Sequence, residues 1–243
     1  MRRLSLRSPA RAARVFGALV LVAVLACVPA AAYSPSELGF TTRVSAALVA
    51  HYAARFGPLA PERLGRWIGY ATVQKTSLAG ARPKAVSDRD ARVLQDVNDA
   101  INQRMSWVED SKHWGAEDYW ATPAESIGSA GGDCEDYAIA KYYLLKELGM
   151  PIERLRITYV RALGQQGQAH MVLAYFARPE AEPLILDNLD PRVRPAAQRA
   201  DLEPVYSFND DEVQLVQSGR RGKPAQIRSW LYVQERLAAE ARI

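Results

Sequence analysis

The sequence predicts an α+β fold, and three observations carry that prediction. Apolar residues recur at helical spacing through the first part of the chain, up to Met105. From Leu155 onward, short alternating runs separated by turn residues take over. Between them Gly131-Gly132 precedes Cys134 and a run of helix formers from Ala138 to Leu148, which Gly149-Met150-Pro151 stops.

The first predicted helix covers 41–56, with Val44, Leu48, Tyr52 and Phe56 on one face and Gly57-Pro58 at its end. The second covers 61–74, with Leu64, Trp67, Ile68 and Ala71. Residues 78–84 read as a loop. Ser87 is expected to cap a third helix, with Asp88 and Asp90 in its first turn and Val93, Leu94, Val97, Ile101 and Met105 along its stripe. These stripes face a core and carry no chemistry, and His51 on the first helix reads as structural. Residues 106–130 have no clear period and are aromatic and polar. An irregular stretch of that length in a compact domain is usually functional, and this one leads into the Cys134 helix.

Three strands are expected over 155–162, 168–176 and 184–187, turning at Gly164–Gly167 and at Arg178-Pro179-Glu180, as an antiparallel meander. Residues 193–203 are ambiguous. Two more short strands, 204–208 and 213–216, flank Asn209-Asp210-Asp211. A basic loop over 218–224 and a C-terminal helix over 226–243, with Trp230 and Leu237 inward, complete the chain.

Residues 1–32 read as a secretory signal: five Arg and no acids, an apolar run over 15–28 too short to span a bilayer comfortably, and Ala30-Ala31-Ala32 as a cleavage site. The expected domain is then 33–243, and its location is the periplasm. Basicity leaves with the signal. The full chain has 31 Lys+Arg against 27 Asp+Glu, the remainder 26 against 27, so charge gives no argument for nucleic acid. No later run is long enough for a transmembrane span. Val24-Leu25-Ala26-Cys27 is a poor lipobox-like string that would anchor the protein if used.

With Cys27 in the signal, Cys134 is the one cysteine of the expected mature chain and has no internal disulfide partner. At a helix start the unpaired N–H groups and the dipole favour thiolate. Asp133, Glu135 and Asp136 oppose it. Two readings of these acids stand: caps of the helix N-terminus, or ligands of a hard divalent cation of the calcium type.

A thiol nucleophile needs a base, and the base a partner that orients it. His170 begins the second strand and Asp187 ends the third. If their hairpin turns at Arg178-Pro179, residues whose numbers sum to 357 face each other, as His170 and Asp187 do.

Gly131-Gly-Asp-Cys134-Glu-Asp-Tyr-Ala, Ala169-His170-Met-Val-Leu and Leu186-Asp187-Asn together resemble the bacterial transglutaminase-like cysteine proteinases, in particular the LapG-type periplasmic proteases. Tyr119-Trp-Ala-Thr-Pro-Ala-Glu125 extends the likeness. The resemblance implies a papain-like, transglutaminase-like fold, with the nucleophile helix packed on the antiparallel sheet. It implies Cys134, His170 and Asp187 as a catalytic triad and Asp133, Glu135 and Asp136 as calcium ligands. It further implies cleavage of the N-terminal region of a large cell-surface adhesin, adhesin release with biofilm dispersal, and sequestration by an inner-membrane cyclic-di-GMP receptor. Two alternatives stay open: a transglutaminase-type acyl transferase, told apart by an isopeptide-linked product, and a non-catalytic periplasmic binding module, which would tolerate Cys134→Ala.

Overall fold

The computed structural model describes residues 44–80, 86–165 and 167–243. The signal read over 1–32, Cys27, the start of the 41–56 helix and most of the 78–84 loop lie outside these residues.

The first helix, α1 (Ala46–Phe56), is capped by Ser45, whose Oγ accepts from the Leu48 N–H at 2.9 Å. Helix α2 (Ala60–Gly80) runs past the expected end, because nothing between Lys75 and Ala79 breaks it. Helix α3 (Val86–Asn102) begins before Ser87, which therefore lies inside it and is no cap. Most predicted stripe positions are buried: Leu48 and Tyr52, then Leu64, Trp67 and Ala71, then Val93, Leu94, Val97, Ile101 and Met105, whereas Val44, Phe56 and Ile68 are half-buried.

The stretch read as irregular holds several short elements: β1 (Ser106–Trp107), α4 (Asp110–His113) and α5 (Pro123–Ser129). A capping box opens α5. Thr122 Oγ1 accepts from the Glu125 N–H at 3.2 Å, and Glu125 Oε2 accepts from the Thr122 N–H at 2.9 Å. Strand β2 (Gly131–Gly132) pairs parallel with β1 and delivers the chain into α6 (Cys134–Glu147). Helix α6 is buried along nearly its whole length, as a helix enclosed on every side must be.

The sheet contains β3 (Leu155–Ala162), β4 (Gln168–Tyr175), β5 (Leu184–Leu186), β6 (Arg194–Pro195), β7 (Leu202–Phe208), β8 (Val213–Leu215) and β9 (Arg221–Gly222). Their order is β6-β5-β4-β3-β7-β8-β9, and every neighbouring pair is antiparallel. The expected meander is thus its central part, and β6 and β9 emerge from segments read as ambiguous or as loop. Leu155, Ile157, Met171, Leu173, Tyr175, Leu186 and Phe208 join α6 in the main core. The fold is α+β, with the helix that starts at Cys134 laid against an antiparallel sheet.

Helix α7 (Arg228–Glu240) covers α6 from outside. Trp230, 1% exposed, stacks on Tyr143 and meets the rings of Tyr142 and Phe208 edge-on. Trp230→Ala is expected to lose about 3–5 kcal/mol of unfolding free energy in a urea titration, through the cavity it leaves. A loss under about 1 kcal/mol would show that α7 is not part of the cooperative core.

Candidate active site and acidic cluster

Gly131 and Gly132 are required by contact. A Cβ on Gly131 would lie 2.8 Å from the His113 ring. One on Gly132 would lie 2.6 Å from Asp136 Cβ and closer still to its carboxylate. His113, left open by sequence, is thereby placed: it covers Gly131 and bonds Ser129 Oγ through Nε2 at 2.9 Å. Asp136 is fully buried, and its Oδ1 accepts from the Ala121 N–H at 2.7 Å. The helix start is therefore clamped from two sides before any side-chain chemistry is considered.

Capping does not account for the acids around Cys134. Asp133 occupies the N-cap position of α6 without a side-chain hydrogen bond to the helix. Instead its carboxylate meets two acids that sequence reasoning missed. Ligand oxygens of Asp110, Asp133 and Asp136 lie within 4.8 Å of one another, as do those of Asp110, Asp118 and Glu135. Asp110 Oδ1, Asp133 Oδ1 and Asp136 Oδ2 are buried with no hydrogen-bond partner. Buried, unpartnered carboxylate oxygens facing one another are a cost that a hard cation with oxygen ligands removes. The donor set therefore fits a calcium-type ion. The missed acids come from α4 and the loop after it, and nothing local marks them; only the fold brings them to Asp133.

Without a cation the cluster holds protons. Burial, with the other acids adding to it, raises Asp133 to about 8. Burial raises Glu135 to about 7, with Asp136 adding, and Asp110 to about 6, with Asp133 adding. Cys134 follows: burial pushes its thiol well up, and Glu135 and Asp133 push it further. The thiol donates to Glu135 Oε2 at 3.1 Å. Taken alone, this chain thus reverses the expectation that the helix start favours thiolate.

On the other side of the thiol lies β4. The Met171 backbone N–H donates toward Cys134, which sets the thiol beside the residue that follows His170. His170 Nε2 bonds Asp187 Oδ1 at 2.8 Å, and both residues are buried. The pairing does not use the expected register. Leu173 faces Leu186 and Tyr175 faces Leu184, sums of 359 where 357 was expected. A slip of two keeps every side chain on its face, so His170 and Asp187 still meet, as diagonal neighbours past the end of β5.

Asp187 is fastened through both carboxylate oxygens and its carbonyl. Oδ1 also accepts from the Leu189 N–H at 3.0 Å, Oδ2 accepts from Arg199 Nη2 at 2.7 Å, and its carbonyl accepts from Asn102 Nδ2 at 2.8 Å. Gln95, Asn98 and Asn102, spaced along one face of α3, hold the whole 187–193 segment. Burial alone would raise the Asp187 carboxyl, but the bonds from His170, Leu189 and Arg199 outweigh it and hold it well below the usual carboxylate range. Lys141 of α6 lies fully buried nearby; burial lowers it to about 7 against the opposing pull of Asp187 and Asp99.

The cluster sets a sign for pH dependence. In an unfolded chain these carboxyls titrate near ~4. The folded, metal-free chain keeps protons on them up to pH 6–8. It therefore binds more protons than the unfolded chain across that range. Their stabilisation is fully present below pH ~4 and is lost as pH rises through the folded values. The melting temperature in excess chelator is expected to fall between pH 5 and 8, and to fall less in Asp133→Asn. A melting temperature that rises over that range in both proteins would contradict it.

The sequence matches the family model of the bacterial transglutaminase-like cysteine proteinases (BTLCP) over residues 71–205. Among solved structures, EGTA-treated Legionella pneumophila LapG is similar at 36% identity and a TM-score of 0.63, over 78% of this chain and 95% of that one. Calcium-bound Legionella pneumophila LapG is similar at 36% identity and a TM-score of 0.60, over 78% of this chain and 97% of that one. No curated protein sequence matches significantly. The family match spans more than half of the chain and the structural likeness over three quarters of it. The chain therefore belongs to the bacterial transglutaminase-like cysteine proteinases and is a cysteine protease of that family.

Proposed function

We propose that the chain is a calcium-dependent cysteine endopeptidase in which Cys134, His170 and Asp187 act as nucleophile, base and orienting partner. The observation that carries this reading is the His170–Asp187 bond of 2.8 Å on the strand that faces the Cys134 thiol. With Nε2 donating to Asp187, His170 keeps Nδ1 as the acceptor for the thiol proton. The thiolate sulfur then forms a bond to the peptide carbonyl carbon. His170 returns the proton to the leaving amine, and water releases the acyl group from sulfur. Backbone N–H groups at the start of α6 are candidate donors to the oxyanion. Asp110, Asp118, Asp133, Glu135 and Asp136 would hold the cation. A bound cation supplies the positive charge that offsets these carboxylates beside the thiol. The solved calcium-bound Legionella LapG supports calcium as that ion.

The location proposed is the periplasm, reached through the signal read over residues 1–32, and the substrate is the one the family resemblance implies, the N-terminal region of a large cell-surface adhesin. Cleavage would release the adhesin and promote biofilm dispersal. An inner-membrane cyclic-di-GMP receptor would hold the protease in check. Among the described residues no helix is long and apolar enough to cross a membrane.

The test is incubation of a recombinant N-terminal adhesin fragment with the mature protein, in calcium and in chelator, with products read by mass spectrometry. Two peptide fragments are expected with calcium alone. Cys134→Ala is expected to be inactive, and Asp187→Asn to turn over on the order of 10⁴-fold more slowly. An isopeptide-linked product would make the chain a transferase, and full-rate cleavage in chelator would remove the cation from the reaction.

A further inference from the structure

We propose that Arg199 is a positioning residue of this site, locking the Asp187 carboxylate so that one of its oxygens is held toward His170. The inference rests on the triad reading above and goes beyond it.

A carboxylate on a single methylene turns readily about its last torsion, whose preference is broad. One hydrogen bond from an imidazole therefore does not fix it. Here the two oxygens have separate tasks. Oδ1 takes His170 Nε2 and the Leu189 N–H, and Oδ2 takes Arg199 Nη2 at 2.7 Å. The arginine is itself immobilised. Asp201 grips it with two bonds, to Nε at 3.0 Å and to Nη2 at 2.8 Å. Asp201 in turn is tied to β3's end through its carbonyl, which accepts from the Leu163 N–H at 2.7 Å. The Arg199 side chain is 5% exposed and that of Asp187 0%. The result is a continuous hydrogen-bonded chain, Asp201–Arg199–Asp187–His170, that starts beside β7 and ends at the imidazole.

Surface ion pairs contribute little and tolerate exchange. A buried arginine that bridges two carboxylates through its planar fork does not, because lysine offers a point charge without the fork. Lys141 of α6 and Asp201 are further charged groups near Asp187. Lys141 adds positive charge, whereas Arg199 sets the orientation of Oδ2.

The test compares Arg199→Met, Arg199→Lys, Asp201→Asn and Asp187→Asn on the adhesin fragment in calcium. Arg199→Met is expected to lower kcat on the order of 10²-fold, the scale of a misplaced catalytic group, with KM unchanged because the Arg199 side chain is buried. Arg199→Lys should recover part of kcat. Added to Asp187→Asn, Arg199→Met should cost nothing more. A second arm needs no substrate: in ¹⁵N-histidine spectra the hydrogen-bonded Nε2 proton of His170 should be visible in the wild type and lost to exchange in Arg199→Met. If Arg199→Met does not fold, Asp201→Asn serves, with a smaller kcat loss at constant KM expected. Wild-type kcat and an intact Nε2 signal in Arg199→Met, or wild-type kcat in Asp201→Asn when Arg199→Met is unfolded, would overturn the role of Arg199. Wild-type kcat in Asp187→Asn would instead overturn the triad reading itself.

Discussion

Like charge concentrated at the start of one buried helix is the constraint on which this structure turns. Asp133, Glu135 and Asp136 belong to the α6 turn, and Asp110 and Asp118 are folded onto it. Three of their oxygens have no partner. Left to itself, such a cluster takes up protons and drags the Cys134 thiol into a hydrogen bond with Glu135, away from ionisation. An arrangement so unfavourable to a nucleophile makes chemical sense when a cation completes it. On the calcium reading proposed above, the site would have two states, one with a protonated acid cluster and one with a metal, and the thiol would belong to both.

The rest of the fold serves to hold the two halves of the site against each other. The Cys134 half is fixed by contact: His113 on Gly131, Asp136 on Gly132, and a helix packed by α3, α5 and the sheet, with Trp230 of α7 against Tyr142 and Tyr143. The His170–Asp187 half is fixed by hydrogen bonds. Three amide side chains of α3 hold the segment after β5, and the Asp201–Arg199 pair holds the carboxylate. Steric fixing suits the element whose backbone must not move. Hydrogen-bonded fixing suits a carboxylate whose direction matters more than its position.

Much of this was legible in the residues. The stripe positions of α1 to α3 came from period alone, and β3 was placed end to end, because a buried face imposes periodicity on sequence. The start of α6 was marked by Gly131-Gly132 and its end by Gly149. The His170–Asp187 meeting was reached through a register two residues off, and survived because side-chain parity repeats every two. The capping box of Thr122 and Glu125, with Pro123 between them, was a readable signal that the aromatic character of the segment obscured. Asp110, Asp118 and Arg199 were beyond reach. Asp110 and Arg199 look like ordinary surface charges until tertiary packing buries them, and Asp118, which stays exposed, joins the cluster only through the fold. The helix-dipole argument for a thiolate failed for the metal-free chain for a related reason: burial and two adjacent carboxylates outweigh the partial charge of a helix end.

The most direct measurement is the rate at which iodoacetamide alkylates Cys134 near pH 7, in saturating calcium and in excess chelator. The account predicts faster alkylation with calcium, because carboxylates engaged by a cation no longer hold the thiol in its protonated form. An equal rate in the two conditions, or a faster one in chelator, would contradict it.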